Sequence, residues 1–177
     1  MRLMSIGKGL VQVYFGNGKG KTTAAVGLMV RAVGQGMKVL FLQFFKKCLT
    51  GEVVALQYLP GVECYQFGTG NFVSDRELEP EDQRECMMGW EMSKRALASG
   101  EYDLVILDEL LYALAYRLLD WNEFLQVMET RSEKTEVVLT GRKVCSQLVD
   151  YADLVSEVVM VKHPYQLGIS ARKGIEY

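Results

Sequence analysis

A glycine-rich turn restricts the fold of this chain more than any other feature of its sequence. The turn is Gly16 to Thr23 (GNGKGKTT), and it stands between an apolar run, Leu10 to Phe15, and an amphipathic stretch, Lys21 to Gly34. Glycines let consecutive backbone N–H groups point inward at an anion, and a helix that begins at the turn adds the positive end of its dipole. A strand, such a turn and a helix in this order predict a phosphate-binding loop in an α/β sheet.

The side chains at the end of this turn have separate expected roles. Lys21 is placed to neutralise the distal phosphates of a nucleotide, and the Thr22 hydroxyl is placed to ligate magnesium. The residues expected to bind the nucleotide at this turn are Gly16, Asn17, Gly18, Lys19, Gly20, Lys21, Thr22 and Thr23.

The turn departs in length from the common phosphate-loop pattern G-x-x-x-x-G-K-[ST]. Counting back five positions from Gly20 reaches Phe15, and the glycine stands at Gly16 instead, so the loop is one residue short. A shorter cradle should hold a triphosphate differently from the loop of an ordinary nucleotide hydrolase. The sequence therefore argues against an ordinary hydrolytic geometry.

The rest of the chain alternates short apolar runs with longer amphipathic ones. Strands that are apolar on both faces indicate a buried parallel sheet whose crossovers are helices. We predict one α/β domain over residues 1–177, a P-loop NTPase-like (RecA-like), mostly parallel sheet of about six strands with helices on both faces. The predicted strands are Leu10–Phe15, Met37–Phe45, Val62–Phe67, Tyr102–Leu107, Glu136–Thr140 and Val155–Val161, and the predicted helices are Lys21–Gly34, Pro80–Ser99, Asn122–Thr130 and Lys143–Tyr151. Lys46 to Leu59 and Gly68 to Glu79 are predicted to be loops.

Two carboxylates follow the fourth predicted strand, at Asp108 and Glu109. In phosphate-binding folds a carboxylate at this strand tip holds the metal, directly or through water. Adjacent side chains point in different directions, which leaves open whether one or both reach the ion. The alternative is an acidic helix N-terminus on a solvated face, and the presence of Lys21 and Thr22 favours the metal site.

Other candidate residues are less specific. Arg142 ends the fifth predicted strand at the same edge, where it could reach a phosphate or a substrate carboxylate, or be a surface arginine. The same two interpretations apply to Arg31. His163 fits a structural residue at a strand end better than a general base, and no Ser–His–Asp or Cys–His arrangement can be built on this single histidine.

Composition excludes several classes of protein. The chain has 20 Lys and Arg against 22 Asp and Glu, a net charge of -2, which gives no support to a nucleic-acid-binding protein. The four cysteines include no C-x-x-C pair, so neither a zinc site nor a disulfide scaffold is expected. The first ten residues lack the apolar core of a signal peptide, and no apolar stretch approaches the length of about 20 residues that a membrane helix needs. We expect a cytoplasmic protein that does not bind membranes.

Several segments together resemble one family of nucleotide enzymes. They are GNGKGKTTAA, VILDEL followed by Tyr112 and Ala113, VVLTGR, ADLVSE and KHPYQLGISARKGIEY, in this order. The sequence is similar to the P-loop ATP:corrinoid adenosyltransferases of cobalamin biosynthesis and salvage, also called cob(I)yrinic acid a,c-diamide adenosyltransferases. The resemblance extends from Gly7 to Tyr177.

The resemblance implies a group transfer in which a Co(I) corrinoid attacks the 5′-carbon of ATP and expels triphosphate. The family binds ATP reversed, which agrees with the short loop. Lys21, Thr22 and the metal, Mg²⁺ or Mn²⁺, would then act catalytically on the leaving group. Glu109 matches the family's metal-binding glutamate, and Arg31 matches an arginine near the nucleotide.

The resemblance also implies a loop that covers the corrinoid. Phe67 to Val73 aligns with this loop, whose aromatic residues help to displace the lower axial ligand of the cobalt. Phe72 is the candidate catalytic aromatic here, displaced by one position, and Val73 stands where some members have Trp. Phe45-Lys46-Lys47 likewise replaces a frequent Ile-Lys-Gly.

Two partners follow from the resemblance: a flavoprotein that supplies electrons and a second copy of the chain in a homodimer. Two other functions remain as alternatives. One is an ordinary P-loop ATPase or small-molecule kinase, which would need a full-length loop. The other is a RecA-like module that binds nucleic-acid strands, which would need a basic groove.

Overall fold

The fold is built on one parallel sheet, seen in a computed structural model that describes residues 7–70 and 78–177. Within these residues the sheet has six strands in the order β3-β2-β4-β5-β1-β6. Every neighbouring pair is parallel. The strands are β1 (Val11–Phe15), β2 (Val39–Phe44), β3 (Val62–Phe67), β4 (Leu104–Asp108), β5 (Glu136–Gly141) and β6 (Leu154–Glu157). The predicted α/β class is confirmed.

Helices cover both faces of this sheet, as predicted. They are α1 (Lys21–Gly34), α2 (Gly51–Leu56), α3 (Pro80–Ser99), α4 (Leu111–Ala115), α5 (Trp121–Thr130) and α6 (Ser146–Tyr151), followed by a 3-10 turn, Pro164–Leu167. Apolar side chains of α1 and α2 pack into one core cluster, and those of α3, α4, α5 and α6 pack into a second on the opposite face. None of the helices described is long and apolar enough to cross a bilayer.

The central strands show why the sequence folds this way. Every residue of β2, β4 and β5 is buried, so these segments need a layer of helices on each side. Helix α3 begins at Pro80, where a missing N–H costs nothing, and is followed by Gly100, which adopts φ 66° and stops the helix. The bounds of α1, β3 and α3 are those predicted from the sequence.

Other predicted bounds were wrong. The predicted strand Val155–Val161 ends at Glu157, because the chain leaves the sheet there and its backbone bonds to the phosphate loop instead. The predicted loop Lys46–Leu59 contains helix α2, and the short helix α4 was missed. The helix predicted over Lys143–Tyr151 begins only at Ser146, after an extended Cys145.

The strand order brings particular loops together. Because all six strands are parallel, their carboxyl ends lie at one edge of the sheet, where ligands bind in folds of this class. Strand β5 lies between β1 and β4. The turn after β1 and the carboxylates after β4 are therefore separated by one strand only.

Candidate nucleotide-binding site

The turn between β1 and α1 has the conformation that its glycines predict. Gly16 has φ 117° and Gly20 has φ 126°, values that residues with a side chain rarely adopt. A Cβ atom at Gly16 would lie 2.4 Å from the Val158 carbonyl oxygen, and one at Gly18 would lie 2.8 Å from the same atom. The backbone after β6 thus forms a back wall against which only glycine fits.

Hydrogen bonds hold the turn against this wall. The Gly18 N–H donates to the Val158 carbonyl at 2.8 Å, and the Asn17 side-chain oxygen accepts from the Met160 N–H at 2.9 Å. The opposite side of the turn is the beginning of α1, where the Ala24 N–H donates to the Gly20 carbonyl. The N–H groups of Lys21 and Thr22 precede this first helical bond, so they can serve an anion.

Lys21 folds back over the turn. It is buried, and its Nζ donates to the Gly18 carbonyl oxygen at 2.8 Å. Burial lowers the pKa of Lys21, and the nearby carboxylates of Glu109 and Asp108 oppose that change. Among the described residues, the hydrogen-bond partner of this ammonium group is one neutral carbonyl, which a phosphate oxygen could replace.

Thr22 is hydrogen-bonded to the carboxylate at the tip of β4. Its hydroxyl donates to Asp108 Oδ1 at 2.9 Å, and the Thr140 hydroxyl donates to the same oxygen at 2.7 Å. The Gln43 side-chain amide donates to Asp108 Oδ2 at 3.1 Å. Because the Thr22 hydrogen is directed at Asp108, the lone pairs of its oxygen stay available for a cation.

Glu109 is the second carboxylate at this tip, and its environment differs. It adopts φ 63°, and its N–H donates to the Thr140 hydroxyl at 2.9 Å. Its Oε2 atom is buried and has no hydrogen-bond partner among the residues described. Burial, followed by the charge of Asp108, raises the pKa of Glu109 to about 7.

The residues at the β4 tip fit a magnesium or manganese ion. An unpartnered buried carboxylate oxygen, a hydroxyl and a second carboxylate are oxygen donors of the kind these ions take. The described residues contain no cluster of three or more His, Cys, Asp or Glu side chains that could enclose a metal.

A cavity of about 510 Å³ connects these groups. This volume lies within the usual range of small-molecule sites. The cavity is lined by the residues predicted at the turn from Asn17 to Thr23, by Glu109 and Arg142, and by Lys46, Glu52, His163 and residues 174–177. The structure thus brings together Lys21, Thr22, Glu109 and Arg142 in one cavity, with Asp108 directly behind Thr22.

Lys19 is held by a segment that sequence analysis did not connect with the site. Its Nζ donates to Glu176 Oε1 at 2.8 Å and to the Ile175 carbonyl at 3.1 Å. Glu176 also accepts from the Arg172 guanidinium and backbone N–H. These partners lower the pKa of Glu176 to about 2, with the Arg172 hydrogen bond the largest cause. The Glu176 carboxylate thus forms an ion pair with Lys19 of the phosphate loop.

Three other predicted residues lie elsewhere or take other roles. Arg31 is in the last turn of α1 and lines a separate cavity with Gln12 and Glu136, so the structure does not bring it to the phosphate loop. The His163 Nδ1 accepts from the Tyr165 N–H and caps the 3-10 turn. Phe72 lies outside the residues that the structure describes.

Sequence analysis also missed residues that shape the site. Gln43 and Thr140 both bond Asp108, and Lys46 pairs with Glu52 at 3.2 Å on the cavity wall. One signal was available, because Gln43 is the single polar residue in the apolar run VLFLQF.

Comparison with known proteins shows the family of the chain. The family model described as "ATP:corrinoid adenosyltransferase BtuR/CobO/CobP" matches residues 7–177. The chain belongs to this family. It is 40% identical over 170 residues to the corrinoid adenosyltransferase of Escherichia coli strain K12, covering 96% of this chain and 86% of that protein. The resemblance predicted from the sequence is confirmed.

Further relatives of this adenosyltransferase family member have similar coverage. Corrinoid adenosyltransferase CobA of Salmonella typhimurium is 39% identical, covering 96% of this chain and 86% of that protein. The corrinoid adenosyltransferase of Pseudomonas aeruginosa is 34% identical, covering 96% and 84%. Among solved structures, the cytoplasmic domain of EssC superposes with a TM-score of 0.53 at 13% identity, covering 93% of this chain and 34% of that one. That likeness concerns the fold alone.

Proposed function

We propose that this chain transfers the 5′-deoxyadenosyl group of ATP to the Co(I) centre of a corrinoid, such as cobalamin, cobinamide or cobyrinic acid a,c-diamide, and releases triphosphate. The observation that carries the proposal is one cavity that groups Glu109 of the β4 tip with Lys21 and Thr22 of a phosphate loop, which is one residue shorter than the common pattern. Membership of the adenosyltransferase family along residues 7–177 supports it.

The reaction requires positioning and charge stabilisation more than proton transfer. The cobalt electron pair forms the Co–C5′ bond while the C5′–O bond breaks, and the electron pair of that bond leaves with the triphosphate. No proton moves, so the site needs no general base. Catalysis then depends on holding the two substrates in line and stabilising charge on the triphosphate.

The leaving group would be bound by the residues around the cavity. Lys21 would exchange its bond to the Gly18 carbonyl for a phosphate oxygen, and the N–H groups at the start of α1 would donate to others. A Mg²⁺ or Mn²⁺ ion held by Thr22 and Glu109 would neutralise further charge. Asp108 would act behind them by orienting the Thr22 hydroxyl. Arg142, on the cavity wall, would add a second cation.

The corrinoid side of the site rests on the family resemblance. We propose that Phe72 contacts the lower face of the corrinoid. The loop begins beside the cavity wall, because a Cβ atom at Gly68 would lie 2.5 Å from the backbone nitrogen of Lys46, which lines the cavity. The proposal includes a flavoprotein reductant and a homodimer, both implied by the same resemblance, and the cytoplasmic location expected from the sequence.

The test is an anaerobic assay with ATP, Mg²⁺ and chemically reduced cobalamin. We expect the absorption spectrum of a Co–C-bonded product, together with one triphosphate per product. A P-loop ATPase is the second candidate, since Lys21, Thr22 and Glu109 around one cavity could also serve phosphate hydrolysis. Release of phosphate without a Co–C product would support the ATPase and contradict the transferase.

A further inference from the structure

A row of hydrogen-bonded side chains crosses three strands behind the cavity. Gln43 of β2 lies in register with Asp108 of β4 on one side and with Gln66 of β3 on the other. The Gln43 amide donates to Asp108 Oδ2 at 3.1 Å, and the Gln66 amide donates to Gln43 Oε1 at 2.8 Å. The Gln66 amide also donates to the Cys48 carbonyl at 2.9 Å. The row therefore links the β4 tip to the loop after β2.

The direction of every bond in this row follows from Asp108. An ionised carboxylate only accepts hydrogen bonds, so Gln43 must turn its NH₂ group toward Asp108 and its oxygen toward Gln66. Gln66 must then donate, and the same NH₂ group reaches Cys48. Since Gln43 and Asp108 are both fully buried, no solvent is available to satisfy these groups otherwise.

Packing alone does not explain a glutamine at position 43. Every other residue of β2 is apolar and buried, and methionine would fill a similar volume without a polar group to satisfy. Residues that break the local pattern of a core in this way are expected at functional sites. The partner of Gln43 is the carboxylate that orients Thr22.

We propose that Gln43 is a positioning residue for metal–ATP binding, and that Gln66 extends its action to the loop carrying Lys46. Gln43 fixes Asp108 Oδ2, which leaves Oδ1 to the hydroxyls of Thr22 and Thr140. Gln66 holds the Cys48 carbonyl, and the same loop places Lys46 on the cavity wall. The inference rests on the proposed function, since it takes the cavity as the site of ATP and its metal.

The test measures Mn²⁺ binding in the presence of ATP and without corrinoid, by electron paramagnetic resonance. Gln43→Met keeps the volume and removes both bonds. We expect the Mn²⁺ dissociation constant to rise about tenfold, the effect of losing one hydrogen bond to a charged group. Activity of Gln43→Met should recover at saturating Mn²⁺, because the variant weakens binding and leaves the reacting groups in place.

Gln12→Met is the matched control. Gln12 also donates from a strand to a carboxylate, Glu136 Oε1 at 2.6 Å, but it lies away from the phosphate loop. We expect its Mn²⁺ affinity to equal that of the wild type. Equal affinity in Gln43→Met and the wild type, or an equal loss in Gln12→Met, would overturn the inference.

Gln66→Met provides a second test that does not depend on the folding of Gln43→Met. It leaves the bond between Gln43 and Asp108 in place and releases the Cys48 carbonyl. We expect ATP to bind about threefold more weakly, with a smaller change for Mn²⁺. Unchanged binding of both would refute the role of Gln66. If Mn²⁺ and ATP bind as described and no adenosylcorrinoid forms, the proposed transfer fails and the positioning role of Gln43 stands.

Discussion

Gly16 and Gly20 offer a sharp test of how the phosphate loop is built. Both have a positive φ close to 120°, 117° and 126°, so alanine should be strained at either position. Their surroundings differ. A Cβ atom at Gly16 would lie 2.4 Å from the Val158 carbonyl oxygen, whereas a Cβ atom at Gly20 would meet no atom within 4 Å. The pair therefore separates backbone strain from contact with the back wall.

The expected magnitudes follow from these contacts. Strain at an unfavourable φ costs about 1–3 kcal/mol, and the reduced freedom of the unfolded chain returns about 0.4–1 kcal/mol. Gly20→Ala should therefore lower the free energy of unfolding by about 1–2 kcal/mol. Gly16→Ala must also displace the Val158 carbonyl by at least about 0.6 Å, which disturbs the hydrogen bonds of the Val158 N–H to Phe15 and of its carbonyl to Gly18. At about 1 kcal/mol for each bond, the total becomes about 3–4 kcal/mol.

Urea unfolding of the two variants beside the wild type measures these differences. Relative to the stability that each variant loses, Gly20→Ala should weaken ATP binding more than Gly16→Ala does. Gly20 lines the cavity, and its new methyl group would point into the open space proposed for phosphate. Equal destabilisation by the two substitutions would refute the idea that the segment after β6 is a rigid back wall.

Three other predictions concern charged groups of the cavity. Lys21→Met should lower kcat/KM for ATP by about 100-fold or more, because no buried cation would then stabilise the negative charge of the leaving triphosphate. Lys134 is exposed, and Lys134→Met should leave kcat/KM unchanged. A similar loss in both variants would contradict the role of Lys21. Glu176→Gln should strengthen ATP binding by about twofold, and most at low salt, because it removes the ion pair between Glu176 and Lys19. Weaker ATP binding would show instead that Glu176 supports the site. The pKa of Glu109 is raised from 4.5 to about 7 in the unliganded protein, so between these pH values the unfolded chain is ionised at Glu109 and folding takes up a proton. Stability should therefore fall as pH rises from about 4.5 to 7. Glu109→Gln should flatten this change in chemical denaturation, and an unchanged slope would exclude Glu109 as its source.

The fold was largely predictable because its strands are uniform in character. Segments such as VLFLQF and LVILD are buried throughout, and this pattern indicates a central parallel strand wherever it occurs. The end of β6 could not be predicted in the same way. The apolar pattern continues beyond Glu157, yet the backbone of residues 158–160 bonds to the phosphate loop, a long-range contact that no local pattern encodes.

The site residues that belong to one sequence motif were predictable, and those that meet only through the order of the strands were not. Lys21 and Thr22 follow from the turn, and Asp108 and Glu109 from a strand tip. Gln43 and Gln66 matter only because β2 lies between β3 and β4, which the sequence does not state. The location of Arg31 was available from geometry, since ten residues of helix at 1.5 Å each carry it about 15 Å from Lys21.

The back wall of the phosphate loop has a consequence for the order in which the protein matures. The loop is made early in synthesis, but Val158 and Met160, which hold Gly18 and Asn17, are made more than a hundred residues later. A nascent chain that has released only its first strands therefore lacks a formed cradle. Under the proposed function, ATP would stabilise this protein only after β6 has joined β1 at the edge of the sheet, so it would not assist the earlier stages of folding on the ribosome.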